Sequence, residues 1–247
     1  MTTTEDNKPI IELIKLIKTY GLLPVLRKID LEIYRGEFVA LLGPNGSGKS
    51  TTIRLLTGLT QPTAGRILVG GWSIPKEMAA VRAQIGLVSH KSLLYENLTA
   101  RENLRFFANL YNIPNGEINE KINHILERVD LLKRGDDLVR TFSRGMQQRL
   151  SIARALLHEP HVLLFDEPYT GLDQSAGTTL DSLLDDARQD NHTIIMATHQ
   201  LNRAAELADR IIILNRGKVG YDGEATGMTP ASLTATYAEI TGMATAR

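Results

Sequence analysis

Short apolar runs and longer amphipathic stretches follow one another along this chain. Phe38-Val39-Ala40-Leu41-Leu42 and Val162-Leu163-Leu164-Phe165 are wholly apolar, the first ending at a glycine and the second at a carboxylate. Runs this short and this apolar predict strands buried on both faces of a parallel sheet. Thr193-Ile194-Ile195-Met196 and Ile211-Ile212-Ile213-Leu214 predict two more. Ile10 to Ile17, Leu31 to Ile33, Arg66 to Trp72 and Ile85 to Val88 also read as strands. Helices are expected over Ser50 to Gly58, Gln174 to Arg188 and Asn202 to Ala208. From about residue 92 to 158 the pattern turns mainly helical. Thr99-Ala100-Arg101-Glu102 has capping-box spacing and opens a helix through Leu110. Ile118, Ile122, Ile125, Leu126 and Val129 line one face of a second helix, and a third runs from Arg144 to His158, before Pro160. Such strand–helix alternation predicts an α/β fold with a mostly parallel sheet, into which 92–158 is inserted as a helical subdomain. A single domain over 8–228 is expected, followed by a C-terminal tail, 229–247, with a short helix.

Composition narrows the function. With 43% apolar residues the chain can bury a full core. Lysine plus arginine number 28 and so do the acidic residues, giving zero formal charge. That balance argues against a general nucleic-acid binder. There is no cysteine, so disulfides, thiolate metal sites and cysteine nucleophiles are excluded. The polar, acidic start is unlike a secretory signal, and no apolar run approaches the roughly 20 residues that span a bilayer. A soluble chain is expected, with any membrane role supplied by a separate polypeptide.

The candidate chemistry lies at two strand ends. Gly43-Pro44-Asn45-Gly46-Ser47-Gly48-Lys49-Ser50-Thr51 fits the phosphate-loop pattern, after a predicted strand and before a predicted helix. Its glycines let backbone N–H groups wrap phosphates, and the following helix adds its positive end. Lys49 would contact the β- and γ-phosphates of ATP, and Ser50 would offer its hydroxyl to Mg2+. Asp166-Glu167 closes the strand begun at Val162. Asp166 would hold Mg2+, and Glu167 would polarise the attacking water as general base. An acidic pair that merely caps a helix is the bland alternative, and the neighbouring phosphate loop disfavours it.

From about Ile10 to Gly223 the chain resembles the nucleotide-binding domains of ABC transporters. Phe142-Ser143-Arg144-Gly145-Met146-Gln147-Gln148 is similar to the family signature Leu-Ser-Gly-Gly-Gln, with Arg144 for a glycine and Met146 for the glutamine. The resemblance implies a P-loop NTPase (RecA-like) core with an N-terminal antiparallel β subdomain and the inserted helical one. It implies that Ser143 and Gly145 face the γ-phosphate held by a second subunit, in a homodimer or pseudo-dimer that buries two ATP molecules head to tail. Arg144 either adds charge near that phosphate or points to solvent. Tyr20 sits where the family stacks a ring on adenine, although a half-buried strand-end tyrosine would look the same. Gly171-Leu172-Asp173 matches the loop that touches the partner's phosphate loop. His199 matches a histidine contacting the γ-phosphate. His90 replaces the usual glutamine that reaches Mg2+ and couples to the membrane subunit, and is expected to act through a water or only in coupling, since imidazole suits hard Mg2+ poorly.

His90, Tyr169 and Thr198-His199-Gln200 together resemble the ATPase subunits of haem exporters in cytochrome c maturation. The expected function is therefore an ATP hydrolase driving an ABC exporter, at the cytoplasmic face of the membrane, bound through a transmembrane permease subunit and not to nucleic acid. Alternatives are an exporter of drugs or lipids, or a soluble ABC ATPase in an assembly process.

Overall fold

The computed structural model describes residues 8–89 and 92–242, and in it the apolar runs assemble into two sheets. Strands β1 (Ile11–Tyr20), β2 (Leu23–Ile33), β4 (Ala64–Val69) and β5 (Trp72–Ile74) form an antiparallel sheet ordered β2-β1-β4-β5. Alternation along β1 and β2 turns Ile11, Leu13, Leu31 and Ile33 inward. The second sheet contains β3 (Phe38–Leu42), β6 (Ile85–Ser89), β7 (Val162–Asp166), β8 (Thr193–Ala197), β9 (Arg210–Asn215) and β10 (Lys218–Glu224), ordered β10-β9-β3-β8-β7-β6. Every pairing in it is parallel except β10 with β9.

All residues of β3, β7 and β8 are buried, which is why these runs are apolar throughout. Their register sets where each strand ends. Leu41 pairs with Ala197, Ala197 with Asp166, and Asp166 with Ser89. The C-terminal ends of four parallel strands therefore finish level, on one edge of the sheet.

Helices α1 (Lys49–Leu56), α2 (Met78–Gln84), α6 (Gln174–Gln189) and α7 (Leu201–Leu207) connect the strands. Helices α3 (Ala100–Leu110), α4 (Asn115–Arg128) and α5 (Arg144–Leu156) lie between β6 and β7. The capping box at Thr99 forms as the spacing predicts: Glu102 N–H donates to Thr99 Oγ1 at 3.1 Å, and Thr99 N–H to Glu102 Oε2 at 2.8 Å. Leu104, Ile122, Leu126 and Leu150 of these helices share one buried cluster with Phe38, Phe165 and Met196 of the sheet. The insert is thus packed onto the strands that carry the chemistry.

Three features differ from the pattern-based expectation. The stretch Arg66 to Trp72 is two strands, because the chain reverses at Gly70 and Gly71, both at positive φ. Helix α2 was not expected; it buries only Val81, so its periodicity is faint. Nor was β10, a half-exposed edge strand interrupted by Gly220 and Gly223. A last helix, α8 (Pro230–Thr241), docks Leu233 into a cluster with Ala204, Ile211 and Ile213.

At the seam of the insert with the sheet, Arg154 is buried and His158 half-buried. Arg154 donates to the carbonyls of Ser92 and Leu93 and lies 5.2 Å from the Phe107 ring, fixing the chain beyond β6. The His158 ring stacks on Tyr111 at 3.8 Å, and its Nε2 donates to Ile85 O at 3.1 Å. Its Nδ1 is buried without a partner, so a proton there would place a charge in a dry site. Burial accordingly lowers the His158 pKa from 6.5 to about 4. Between those values the unfolded chain binds a proton that the folded chain refuses, so this group withdraws stability as pH falls through that window. We expect His158→Gln to lessen the loss between pH 6.5 and about pH 4 by roughly 3 kcal/mol, read from denaturant midpoints at each pH. Parallel pH profiles for the two proteins would contradict this.

Candidate functional site

Beyond β3 the backbone turns through conformations that only glycine adopts easily. At Gly43, φ is 145°, and a Cβ would fall 2.3 Å from the carbonyl oxygen of Leu214. At Gly48, φ is 115°, and a Cβ would fall 2.4 Å from Leu26 Cδ2. Helix α1 starts immediately afterwards, and no side chain caps it. Its first N–H groups can therefore serve an anion. Lys49, only 6% exposed, folds back to donate to Gly43 O at 2.6 Å and Pro44 O at 3.4 Å. Burial lowers its pKa, against the pull of the Glu167 and Asp166 carboxylates. Ser47 Oγ is buried in the loop without a partner. Pro44, Asn45 and Gly46 complete the turn, with Asn45 and Gly46 exposed at its tip, and Thr51 lies in the first turn of α1.

The level strand ends bring the acidic pair to this loop. Ser50 Oγ donates to Asp166 Oδ1 at 2.8 Å, and Asp166 is itself buried. Glu167, one residue past β7, adopts φ 53°, a left-handed conformation uncommon outside glycine, and its N–H bonds to Ala197 O. Its Oε2 lies 2.7 Å from His199 Nδ1. Lys49, Ser50, Asp166, Glu167 and His199 thus form one constellation from three strand ends. Its oxygen donors suit a hard cation such as Mg2+. Among the described residues no group of three or more His, Asp or Glu could hold a metal. A cation here would need phosphate oxygens as well.

Ser143, Gly145 and Asp173 form a second grouping. Ser143 caps α5, accepting from Met146 N–H at 3.3 Å, and Asp173 caps α6, accepting from Ala176 N–H at 2.8 Å. A Cβ on Gly145 would approach Ala176 Cβ to 2.9 Å, so the two helix starts are in close contact. An open cavity of about 410 Å³ lies between them, bordered by Ser143, Arg144, Gly145 and Asp173. Arg144 is exposed, borders this cavity and also reaches a neighbouring loop. Its Nε and Nη2 both donate to Thr170 O, at 3.0 and 2.8 Å. Tyr20 ends β1, is 45% exposed, and has Lys18 Nζ 4.6 Å from its ring centroid. His90 lies outside the described residues.

Sequence reasoning missed the support behind this loop. Tyr169 is buried, and its hydroxyl donates to Asp181 at 2.6 Å. Asp181 also pairs with Arg203 of α7, whose guanidinium lies 5.6 Å from the Tyr169 ring. Burial, then the bond to Asp181, pushes the Tyr169 pKa well up. Asp181 and Arg203 carry no local signal, since charged residues on amphipathic helices usually face water.

A family model described as ABC transporter matches residues 26–170. The chain belongs to that family. It is 37% identical over 211 residues to the linearmycin resistance ATP-binding protein LnrL of Bacillus subtilis (strain 168), a match covering 85% of this chain and 68% of that protein. It is 34% identical over 233 residues to the Nod factor export ATP-binding protein I of Cupriavidus pinatubonensis (strain JMP 134 / LMG 1197), covering 94% and 72%. Among solved structures it is similar to the ATP-binding cassette MJ0796 in a dimeric post-hydrolysis state bound to ADP and Pi, with TM-score 0.79, 30% identity, and coverage of 88% of this chain and all of that one. This ABC protein is an ATP-hydrolysing transporter subunit with a P-loop NTPase fold. Among its described residues no helix is long and apolar enough to cross a membrane.

Gly43→Ala should cost about 1–3 kcal/mol in denaturant unfolding, through strained φ and the clash with Leu214. The same variant should lose the rise in melting temperature that ATP gives the parent. A parental midpoint together with a parental ATP shift would show the loop to be more forgiving than its geometry.

Proposed function

We propose that this subunit hydrolyses ATP to drive export through a separate transmembrane permease, at the cytoplasmic face of the membrane. The observation that carries the catalytic part is the hydrogen bond between Ser50 and Asp166, which brings the phosphate loop and the acidic strand end into contact. In this proposal residues 43–51 wrap the triphosphate, Lys49 contacts its β- and γ-phosphates, and Tyr20 stacks on adenine. Ser50 and Asp166 hold Mg2+, which would neutralise charge on the phosphate oxygens. Glu167 takes a proton from water as its oxygen attacks the γ-phosphorus, and the bond to the β-phosphate oxygen breaks to release ADP. His199, oriented by Glu167, contacts the γ-phosphate.

Ser143, Gly145 and Asp173 are assigned to the ATP of a second copy, because they border a cavity of their own. Two head-to-tail protomers would then complete two sites. For the permease, we assign an open, mainly apolar groove of about 690 Å³ between sheet and insert, lined by Leu59, Leu87, Leu93, Leu110 and Tyr111 with Arg154 beneath. Leu59 and Leu110 are each 64% exposed there, which favours a protein partner. His90, outside the described residues, is assigned to coupling.

Export is supported by the relatives whose names concern linearmycin resistance and Nod factor export. A haem cargo for cytochrome c maturation is the narrower reading, supported by the sequence likeness at His90, Tyr169 and Thr198-His199-Gln200. The inward bond of Tyr169 to Asp181 explains that residue without reference to cargo. Absorbance of the purified subunit–permease complex tests it: a haem spectrum supports the narrow reading, and its absence leaves drug or lipid export.

Glu167→Gln should reduce turnover about a hundredfold or more and accumulate an ATP-dependent dimer in gel filtration. Hydrolysis at the parental rate would remove Glu167 from the role of base.

A further inference from the structure

Arg144 stands directly after the helix cap Ser143, where the family signature has glycine, and it reaches across to another loop. Both Nε and Nη2 converge on Thr170 O. The guanidinium also lies close against Gly171, where a Cβ would fall 2.6 Å from Nε. A charged, planar donor fork on a single carbonyl fixes distance and direction together. The loop it grips runs from Glu167 to Asp173. On its inner side the same loop is held by Tyr169, through Asp181, to Arg203 of α7. Thr170 and Gly171 themselves are exposed, so Arg144 secures the side that burial does not.

We propose that Arg144 is a positioning residue that couples the Ser143 end of α5 to Glu167 of the same protomer. The inference rests on the head-to-tail reading of Ser143, Gly145 and Asp173. In that arrangement Ser143 meets the nucleotide held by the partner, while Glu167 acts on the protomer's own. A shift of the α5 start on meeting the partner's nucleotide passes through the Arg144–Thr170 bonds to the loop that continues from Glu167. Occupancy of one site thereby sets hydrolytic competence at the other. Turnover at one site then depends on nucleotide at the other, so the rate rises cooperatively with ATP concentration.

The test is steady-state hydrolysis against ATP concentration by the full chain, for the parent, Arg144→Ala and Arg144→Lys. For Arg144→Ala we expect kcat to fall about tenfold, the value for losing bonds to a charged donor, with KM changed less than about twofold. The Hill coefficient should fall from near 2, the number of sites, toward about 1. Lysine can keep one bond to Thr170 O and should restore part of kcat. Arg144→Ala placed in the Glu167→Gln background should still give the ATP-dependent dimer. Parental kcat and Hill coefficient in Arg144→Ala, with that dimer intact, would overturn the coupling. So would a tenfold rise in KM at unchanged kcat, which would make Arg144 a nucleotide-binding group. A Glu167→Gln chain that stays monomeric with ATP would instead overturn the head-to-tail reading, and the coupling with it.

Discussion

The contact between Ser50 and Asp166 joins residues 116 apart in sequence, and the site depends on it. One such bond contributes about 1–3 kcal/mol, too little to gather the chain by itself. What gathers it is the parallel register of β3, β8 and β7. These strands are buried along their whole length, and a slip of one residue would turn every side chain to the opposite face. With register fixed by the core, the residues just past each strand must emerge at the same level. The phosphate loop, the acidic pair and His199 occupy those three exits.

Charge is concentrated where the core ends. Lys49 is buried, which disfavours its ammonium form, and Asp166 and Glu167 pull the other way. Neither carboxylate alone would be comfortable beside that strand end without a cation nearby, and an ammonium folded onto carbonyls would be poorly balanced without the carboxylates. Glu167 adds a backbone cost at φ 53°, offset by its bond to Ala197 and by the loop behind it. Arg154, Asp181 and Arg203 extend the same logic outward. Each is a charged group used to hold a loop next to the chemistry.

How much of this could be read from sequence depends on how local each cause is. The strands β3, β7 and β8 were legible because complete burial writes a wholly apolar run. The phosphate loop was legible because three glycines and a lysine answer a local backbone requirement. The capping box at Thr99 needs only four neighbouring residues. By contrast, β10 is an edge strand with two glycines, and α2 buries a single side chain, so neither leaves a strong period. The break between β4 and β5 is a matter of two positive-φ glycines inside an otherwise strand-like stretch. The Tyr169–Asp181–Arg203 contacts join three separate elements, and no window of sequence contains them. Arg144 was visible as a departure from a signature, but its direction was set by Thr170, 26 residues away.

The same distinction bears on why the proposed two halves of the machine differ in character. The half at 43–51, 166–167 and 199 is assembled by the sheet, with Lys49 and Asp166 buried and the Glu167 N–H bonded to buried Ala197. The half at Ser143 and Asp173 is assembled by two helix starts pressed together, and both capping residues are exposed. A sheet edge holds its exits to a fixed spacing, whereas two helix starts can tilt as bodies about their buried ends. In the proposed dimer the rigid half would hold nucleotide and the tiltable half would report on the partner's. A link between the two within one protomer has to run along a loop that touches both, and residues 167–173 are that loop. It leaves the sheet at Glu167, is anchored at Tyr169, is gripped from α5 at Thr170, and enters α6 at Asp173. Motion of α5 relative to the sheet has this direct hydrogen-bonded route to the strand end that carries Glu167.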